Sequence, residues 1–186
     1  METQILETVD RLFYEQGIRA VGVDTIAAEV GISKRTLYNY FSSKDAIITA
    51  YLERRLHPAE ISETPPLEQI LGYFDRLGRA FASGKFHGCA FVNAVAELKT
   101  AGHPANKIAF TFKEERRRWF GKLLRRLHAA NPDRLAMQLM LLVDGEISAA
   151  LVRGDPQVGR TAKDAARALL SAAGVDIGRG KKTRVK

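Results

Sequence analysis

The stretch from Gly31 to Lys44, GISKRTLYNYFSSK, constrains the fold more than any other in the chain. It carries three cations, Lys34, Arg35 and Lys44, and no acid. Gly31 suits the end of a helix, because glycine enters the left-handed conformation without a steric cost. Ser33 then offers a hydroxyl to cap the helix that follows. On a 3.6-residue period Leu37 and Phe41 share one face, Arg35 and Asn39 point the opposite way, and Thr36, Tyr38 and Tyr40 lie on the flanks. A helix from Lys34 to Phe41 is about two turns, roughly 10–12 Å at 1.5 Å per residue, and fits a DNA major groove. Helix, glycine turn and short helix with an exposed polar face make a helix-turn-helix, with Lys34 to Phe41 as its recognition helix. A solvated basic face on an ordinary helical hairpin would explain the charge alone. Two tyrosines beside two cations, on a helix too short to hold its own shape, argue instead for a partner surface.

The flanking sequence extends the pattern. Ile5, Leu6, Val9, Leu12 and Phe13 form an amphipathic first helix closed by Gly17, a second short helix runs from Asp24 to Val30, and another begins at Ser43-Lys44-Asp45. With these residues in place, the segment from Ile5 to Leu56 resembles the DNA-binding domain of the tetracycline-repressor (TetR) family. The resemblance is carried by Phe13, Gly17, Val23-Asp24-Thr25-Ile26-Ala27, Val30-Gly31-Ile32-Ser33 and the run Thr36 to Asp45. It implies a dimeric regulator that binds double-stranded operator DNA through Thr25, Lys34, Arg35, Thr36, Tyr38, Asn39, Tyr40 and Lys44. Within that set Lys34, Arg35 and Tyr38 are expected at base edges, and Thr36, Asn39, Tyr40 and Lys44 at phosphates. One position departs from the family: Gly22 stands where Thr or Ser often caps the second helix, so that position has no hydroxyl to offer a phosphate.

Gross charge supports this reading less than charge placement does. The formal net charge is +8, yet residues 1–55 hold seven lysines and arginines against eight acids. The cations of the head are gathered on the groove-facing helix and at Lys44, while the excess sits in Lys113 to Arg126 and in the tail. Residues 1–17 are amphipathic and acidic, unlike a signal peptide, and the longest apolar run, Leu139 to Val143, is far short of the ~20 residues of a membrane span. A cytoplasmic protein with no membrane partner is expected. One cysteine, Cys89, cannot form an intramolecular disulfide.

At 186 residues the chain can bury one sizeable core, or a small domain and a medium one. Prolines mark helix starts from Pro58 onward. The fourth helix is expected from Lys44 to Leu56, followed by a polar linker from His57 to Thr64. Further helices are expected over Pro66 to Ser83, Cys89 to Lys99, Pro104 to Ala129, Pro132 to Arg153 and Ala162 to Ala173. No stretch alternates with period two long enough to be a strand. The fold class is therefore all-α with about nine helices: a helix-turn-helix domain at 1–56, a ligand-binding and dimerisation domain at 57–177, and a disordered basic tail at 178–186.

The eighth helix is apolar almost all round, from Leu135 to Val152, and so calls for burial on both sides. The ninth adds Ala165, Ala166, Ala168, Ala172 and Ala173, small residues that permit close helix approach. A homodimer through these two helices follows, as in the family, with a core pair inside a monomer as the plainer alternative. Asn93 and Asp144 are polar residues inside apolar helices, where unpaired burial costs about 1–3 kcal/mol. With Cys89, Phe74, Phe112 and Trp119 they are the candidates to line a cavity for an unknown small-molecule effector; bonds across the core explain each singly just as well. His87, His103, His128 and Cys89 lack a metal-ligand spacing, and no nucleophile-base set, phosphate loop or paired carboxylates point to an enzyme or a cofactor. The expected function is transcriptional regulation, as a repressor released from a palindromic operator by a small molecule. The alternative is constitutive DNA binding without an effector.

Overall fold

The computed structural model describes residues 1–178; the basic run Arg179 to Lys186 of the expected tail lies outside the described residues. Those residues form nine helices and no strand: α1 (Glu2–Gln16), α2 (Val23–Val30), α3 (Lys34–Tyr40), α4 (Lys44–Arg55), α5 (Pro66–Phe81), α6 (Ala90–Leu98), α7 (Pro104–Arg126), α8 (Pro132–Arg153) and α9 (Gln157–Ala172). The all-α class expected from the periodicity is the one observed.

Three boundaries move for identifiable reasons. The ninth helix begins at Gln157, five residues before the expected Ala162, because the Asp155 carboxylate accepts from the Gln157 N–H at 2.9 Å and carries the Asp-Pro turn straight into helix. The seventh ends at Arg126 rather than Ala129, since His128 takes a left-handed φ of 52° and stops the ladder. The fifth ends at Phe81, two residues before the expected Ser83, whose hydroxyl turns back onto the Ala80 carbonyl.

The helices group into two compact units. The first comprises Met1–Pro58 and His87–Glu114, the second Ala59–Phe86 and Glu115 onward. This differs from the sequential division into 1–56 and 57–177: α6 and the first half of α7 belong with the N-terminal helices. The physical reason is apolar burial. Ala90, Phe91, Ala94, Ala105 and Ala109 share one core with Ile5, Val9, Leu12, Leu37, Ile47 and Leu52. The chain therefore passes between the units at three points, the last inside α7.

Inside the first unit α1 buries Ile5, Val9, Leu12 and Phe13, one face of a 3.6-residue repeat. The Phe13 ring meets Tyr51 of α4 edge-on at 5.5 Å, and Arg55 of α4 binds Asp10 of α1 through two hydrogen bonds of 2.5 and 2.8 Å. The Arg55 guanidinium also lies 4.5 Å over the Tyr14 ring, a cation–π contact in a half-buried setting. Glu97 of α6 accepts from the Arg19 N–H at 2.9 Å, beyond the end of α1. His103 caps α7, its Nδ1 accepting from the Ala105 N–H at 3.0 Å.

In the second unit α5, α8 and α9 pack on one another around Phe74, Phe120, Leu123, Leu139, Ala166 and Leu170. Gly78 of α5 and Gly159 of α9 bring the two backbones into near contact: a β-carbon on Gly159 would lie 2.8 Å from the Gly78 Cα. Lys163 of α9 reinforces the crossing through Asp75 of α5, at 2.7 Å. Among the described residues α8 is long and apolar enough to cross a membrane by composition, although its longest unbroken apolar run is short. Its buried stripe includes Leu135, Leu139, Val143 and Ala150. Other apolar residues face outward, with Leu141 64% and Val152 82% exposed. Ala150 and Ala166, among the small residues of these two helices, are buried inside the unit.

Candidate nucleic-acid interface and effector site

The recognition element is built by two caps. Gly31 ends α2 at φ 78°, and its N–H and that of Ile32 turn back onto the Ala28 and Ala27 carbonyls at 3.1 and 3.0 Å. Two residues on, the Ser33 hydroxyl accepts from the Thr36 N–H at 3.0 Å and opens α3. A seven-residue helix has little stability of its own. It is held by Leu37, fully buried in the core of the first unit, and by Phe41, which follows the helix as an extended residue and is buried too. The recognition helix thus ends one residue before the expected Phe41, with the apolar anchor retained. Ser43 repeats the Ser33 device for α4, accepting from the Ala46 N–H at 3.1 Å.

With Leu37 inward, the remaining side chains of α3 are forced outward. Lys34, Arg35 and Asn39 are exposed, Tyr38 and Tyr40 are 41% and 45% exposed, and Thr36 is half-buried with its hydroxyl 2.8 Å from that of Ser33. Aromatic surface of that extent on a short helix is what a nucleic-acid interface offers to sugars, phosphates and base edges. Lys34 is tied to α2 through Asp24, at 3.0 Å. Thr25 is exposed on the first turn of α2, where Gly22 caps without a side-chain bond, so the expected loss of a capping hydroxyl is seen in the geometry. Lys44 is half-buried at the start of α4. Its burial pulls its pKa below the ordinary lysine value, against the opposing charges of Glu97 and Asp45. The eight residues expected at DNA therefore all lie on α2, α3 and the first residue of α4.

The six residues named for an effector divide between the units. Cys89, Asn93 and Phe112 belong to the first, Phe74, Trp119 and Asp144 to the second. Asn93 donates from Nδ2 to the His87 carbonyl at 2.7 Å, and Phe112 stacks on Phe91 with ring centres 4.1 Å apart. Trp119 donates its indole N–H to the Glu60 carbonyl at 2.9 Å and meets Phe120 edge-on, while Phe74 is wholly buried beside Phe120. Asn93 and Trp119 thus already spend donors on backbone carbonyls.

One residue that sequence reasoning passed over stands out. Glu146 of α8 is 3% exposed, and neither carboxylate oxygen has a hydrogen-bond partner among the described residues. Burial pushes its pKa up to about 8. The signal was present in the spacing: Leu139, Val143, Glu146 and Ala150 follow one another at four, three and four residues, so the glutamate sits in the buried stripe rather than on the polar face.

Comparison with known proteins agrees with this geometry. Residues 5–51 match the sequence profile of bacterial regulatory proteins of the tetR family. A TetR-type transcriptional regulator from Streptomyces avermitilis is 32% identical and overlays on 94% of this chain and 98% of its own, with a TM-score of 0.82. A TetR-family transcriptional regulator from Streptomyces coelicolor is 28% identical over 92% of this chain and 94% of its own, with a TM-score of 0.81. The HTH-type transcriptional regulator YjdC of Escherichia coli is 25% identical over 150 residues, 76% of this chain and 78% of its own length. An HTH-type transcriptional regulator of Mycobacterium tuberculosis is 41% identical over 51 residues, and there the chain spans only 25% of the relative's length.

Proposed function

The chain belongs to the TetR family of DNA-binding transcriptional regulators, and we propose that it is a repressor that binds a palindromic operator as a homodimer and leaves it when a small molecule binds. The observation that carries the reading is the outward set of α3, Arg35, Tyr38, Asn39 and Tyr40, around a buried Leu37. Two such helices related by a two-fold axis read half-sites about one helical turn apart, roughly 34–36 Å. The pairing is supported by the apolar outer half of α8, because exposed surface of this kind is characteristic of an interaction face. The site of action is then the bacterial cytoplasm.

Release requires an effector that binds the DNA-competent and DNA-incompetent spacings with different affinity. Cys89, Asn93 and Phe112 of the first unit and Phe74, Trp119 and Asp144 of the second remain candidates, each within its own unit. Trp119 would serve through its apolar surface, since its indole N–H is already engaged, whereas Asn93 spends one donor on the His87 carbonyl. Selection of duplexes from a random pool by the full chain tests the function as a whole. Recovery of a two-fold symmetric motif with half-sites one turn apart supports it, and recovery of DNA without sequence preference overturns it.

A further inference from the structure

Gly78 and Gly159, where α5 and α9 come into near contact, are each followed in the chain by an arginine, and the crossing brings Arg79 and Arg160 to one groove. The groove has a volume of about 650 Å³ and lies within the second unit. Its charged residues are Arg79, Arg160, Lys163 and Arg167 against Asp75 and Asp164, an excess of two positive charges. Its uncharged lining includes Gly78, Ala82, Pro156 and Gln157. No residue of α8 contributes to it. The α9 residues turned toward α8, Val158, Thr161, Ala162 and Ala165, are also absent, so the groove lies off the face assigned to the dimer.

The four cations are not equivalent. Lys163 is closed onto Asp75 at 2.7 Å, and Arg167 donates to the Ile177 carbonyl at 3.4 Å. Arg79 and Arg160 are exposed, and neither has an acid or carbonyl partner among the described residues. With Asp75 engaged, Asp164 is the one lining acid left to three guanidinium groups. Like charges share a groove only against their repulsion, and a cleft lined by one sign of charge concentrates counter-ions. The chemistry of the donors narrows the anion. A guanidinium is a planar fork that fits two oxygens at once. A carboxylate fills one such fork, whereas a phosphate monoester brings three free oxygens and close to two charges, enough for forks from both helices. The volume, inside the range of roughly 300–1,000 Å³ usual for small-molecule sites, leaves room for an organic body.

We propose that the α5–α9 groove is a binding site for a small organic phosphate, its phosphoryl oxygens shared between Arg79 and Arg160 and its organic part against Ala82 and Pro156. Binding here does not rest on the effector reading and requires no change at the operator. Asp164 opposes the anion and sets a limit on its affinity. Because both arginines are exposed, binding weakens as salt rises.

The experiment titrates the full chain by calorimetry, without DNA, at fixed ionic strength and at pH 8, where a phosphate monoester is fully charged. The probes are phenyl phosphate, inorganic phosphate and benzoate. Phenyl phosphate is expected to bind at least tenfold tighter than benzoate, tighter than inorganic phosphate, and to raise the melting temperature. Arg79→Gln and Arg160→Gln should each weaken it at least fivefold, and Asp164→Asn should tighten it. Lys122→Gln removes the same charge from an exposed residue of α7 and should leave binding as in the wild type. Equal affinity for phenyl phosphate and benzoate overturns the site, as does unchanged binding in either arginine variant. An equal loss in Lys122→Gln overturns it too, because net charge rather than the groove would then draw the anion. Loss in Arg35→Ala with full binding in both groove variants assigns the anion to α3 and overturns the site. Inorganic phosphate bound as tightly as phenyl phosphate overturns the organic ligand. Should one groove variant fail to fold, the other decides.

Discussion

Lys34 Nζ lies 3.0 Å from Asp24 Oδ1, so the first residue of the recognition helix is tied to the first turn of the helix before it. The pair is solvent-exposed, and such pairs contribute about 0–1 kcal/mol to stability. On the proposed docking its larger effect is on DNA, because Asp24 would neutralise a cation facing the groove. Asp24→Asn is expected to tighten binding to all duplexes several-fold at low salt, without a change in melting temperature. Anisotropy titrations over a range of salt concentrations check this. An affinity that does not move would show that Lys34 stays clear of DNA.

Arg35 and Lys44 should behave differently from each other. Arg35 is exposed near the start of α3, and if it reads base edges as proposed, Arg35→Ala should cost about 1–3 kcal/mol and relax base preference at its position. Lys44 begins α4, and Lys44→Ala should weaken specific and scrambled duplexes alike and flatten the salt slope by about one. Equal loss of sequence preference in both variants would dissolve the distinction.

The proposed dimer is tested on the outer half of α8. Ala150 and Ala166 are buried inside one subunit, so a charge there would damage the core and report nothing about association. Leu141 is exposed, and Leu141→Glu is expected to halve the mass seen by light scattering while leaving the far-ultraviolet circular dichroism unchanged. A dimer that persists in this variant would place the interface elsewhere.

Gly159 should tolerate no side chain. A β-carbon there would stand 2.8 Å from the Gly78 Cα, and backbone cannot step aside as a side-chain tip can. Gly159→Ala is expected to lose roughly 1–3 kcal/mol in urea denaturation, the usual range for overpacking. Gly72, in α5 with open space around it, is the control. There alanine should raise stability by up to ~1 kcal/mol through helix propensity.

Stability should also depend on pH through Glu146. Its folded pKa, about 8, lies above the ordinary carboxyl value of 4.5, so the native state holds a proton that the unfolded chain gives up. The protonated carboxyl is tolerated below pH 4.5, and the advantage is lost as pH rises to about 8. Wild type should therefore lose stability relative to Glu146→Gln over that window, at about 1.4 kcal/mol per pH unit at most. Parallel denaturation curves at pH 5, 6.5 and 8 measure the difference. A constant gap between the two proteins would mean the carboxylate finds a partner in solution.

Much of the head was legible before any coordinates. Gly31 and Ser33 are local devices: one needs a left-handed φ and the other a hydroxyl next to free N–H groups, and both requirements are met within four residues of chain. The Leu37 and Phe41 anchors follow from helical period in the same way. The effector candidates were not legible to the same degree, because Asn93 and Trp119 find their acceptors at His87 and Glu60, and nothing local to either side chain announces a carbonyl six or fifty-nine residues away.

What the sequence by itself determined is the set of elements whose causes are short-range: nine amphipathic or apolar helices, their caps, and a recognition helix whose basic and aromatic residues have nowhere to go but outward. Only the tertiary structure decided which helices share a core. It placed α6 and the start of α7 with the N-terminal helices, since burial depends on surfaces meeting in space rather than on order along the chain. It also decided that Glu146, one more glutamate on a helix by composition, would be closed away from water with no hydrogen-bond partner among the described residues, because burial is set by which surfaces meet in space.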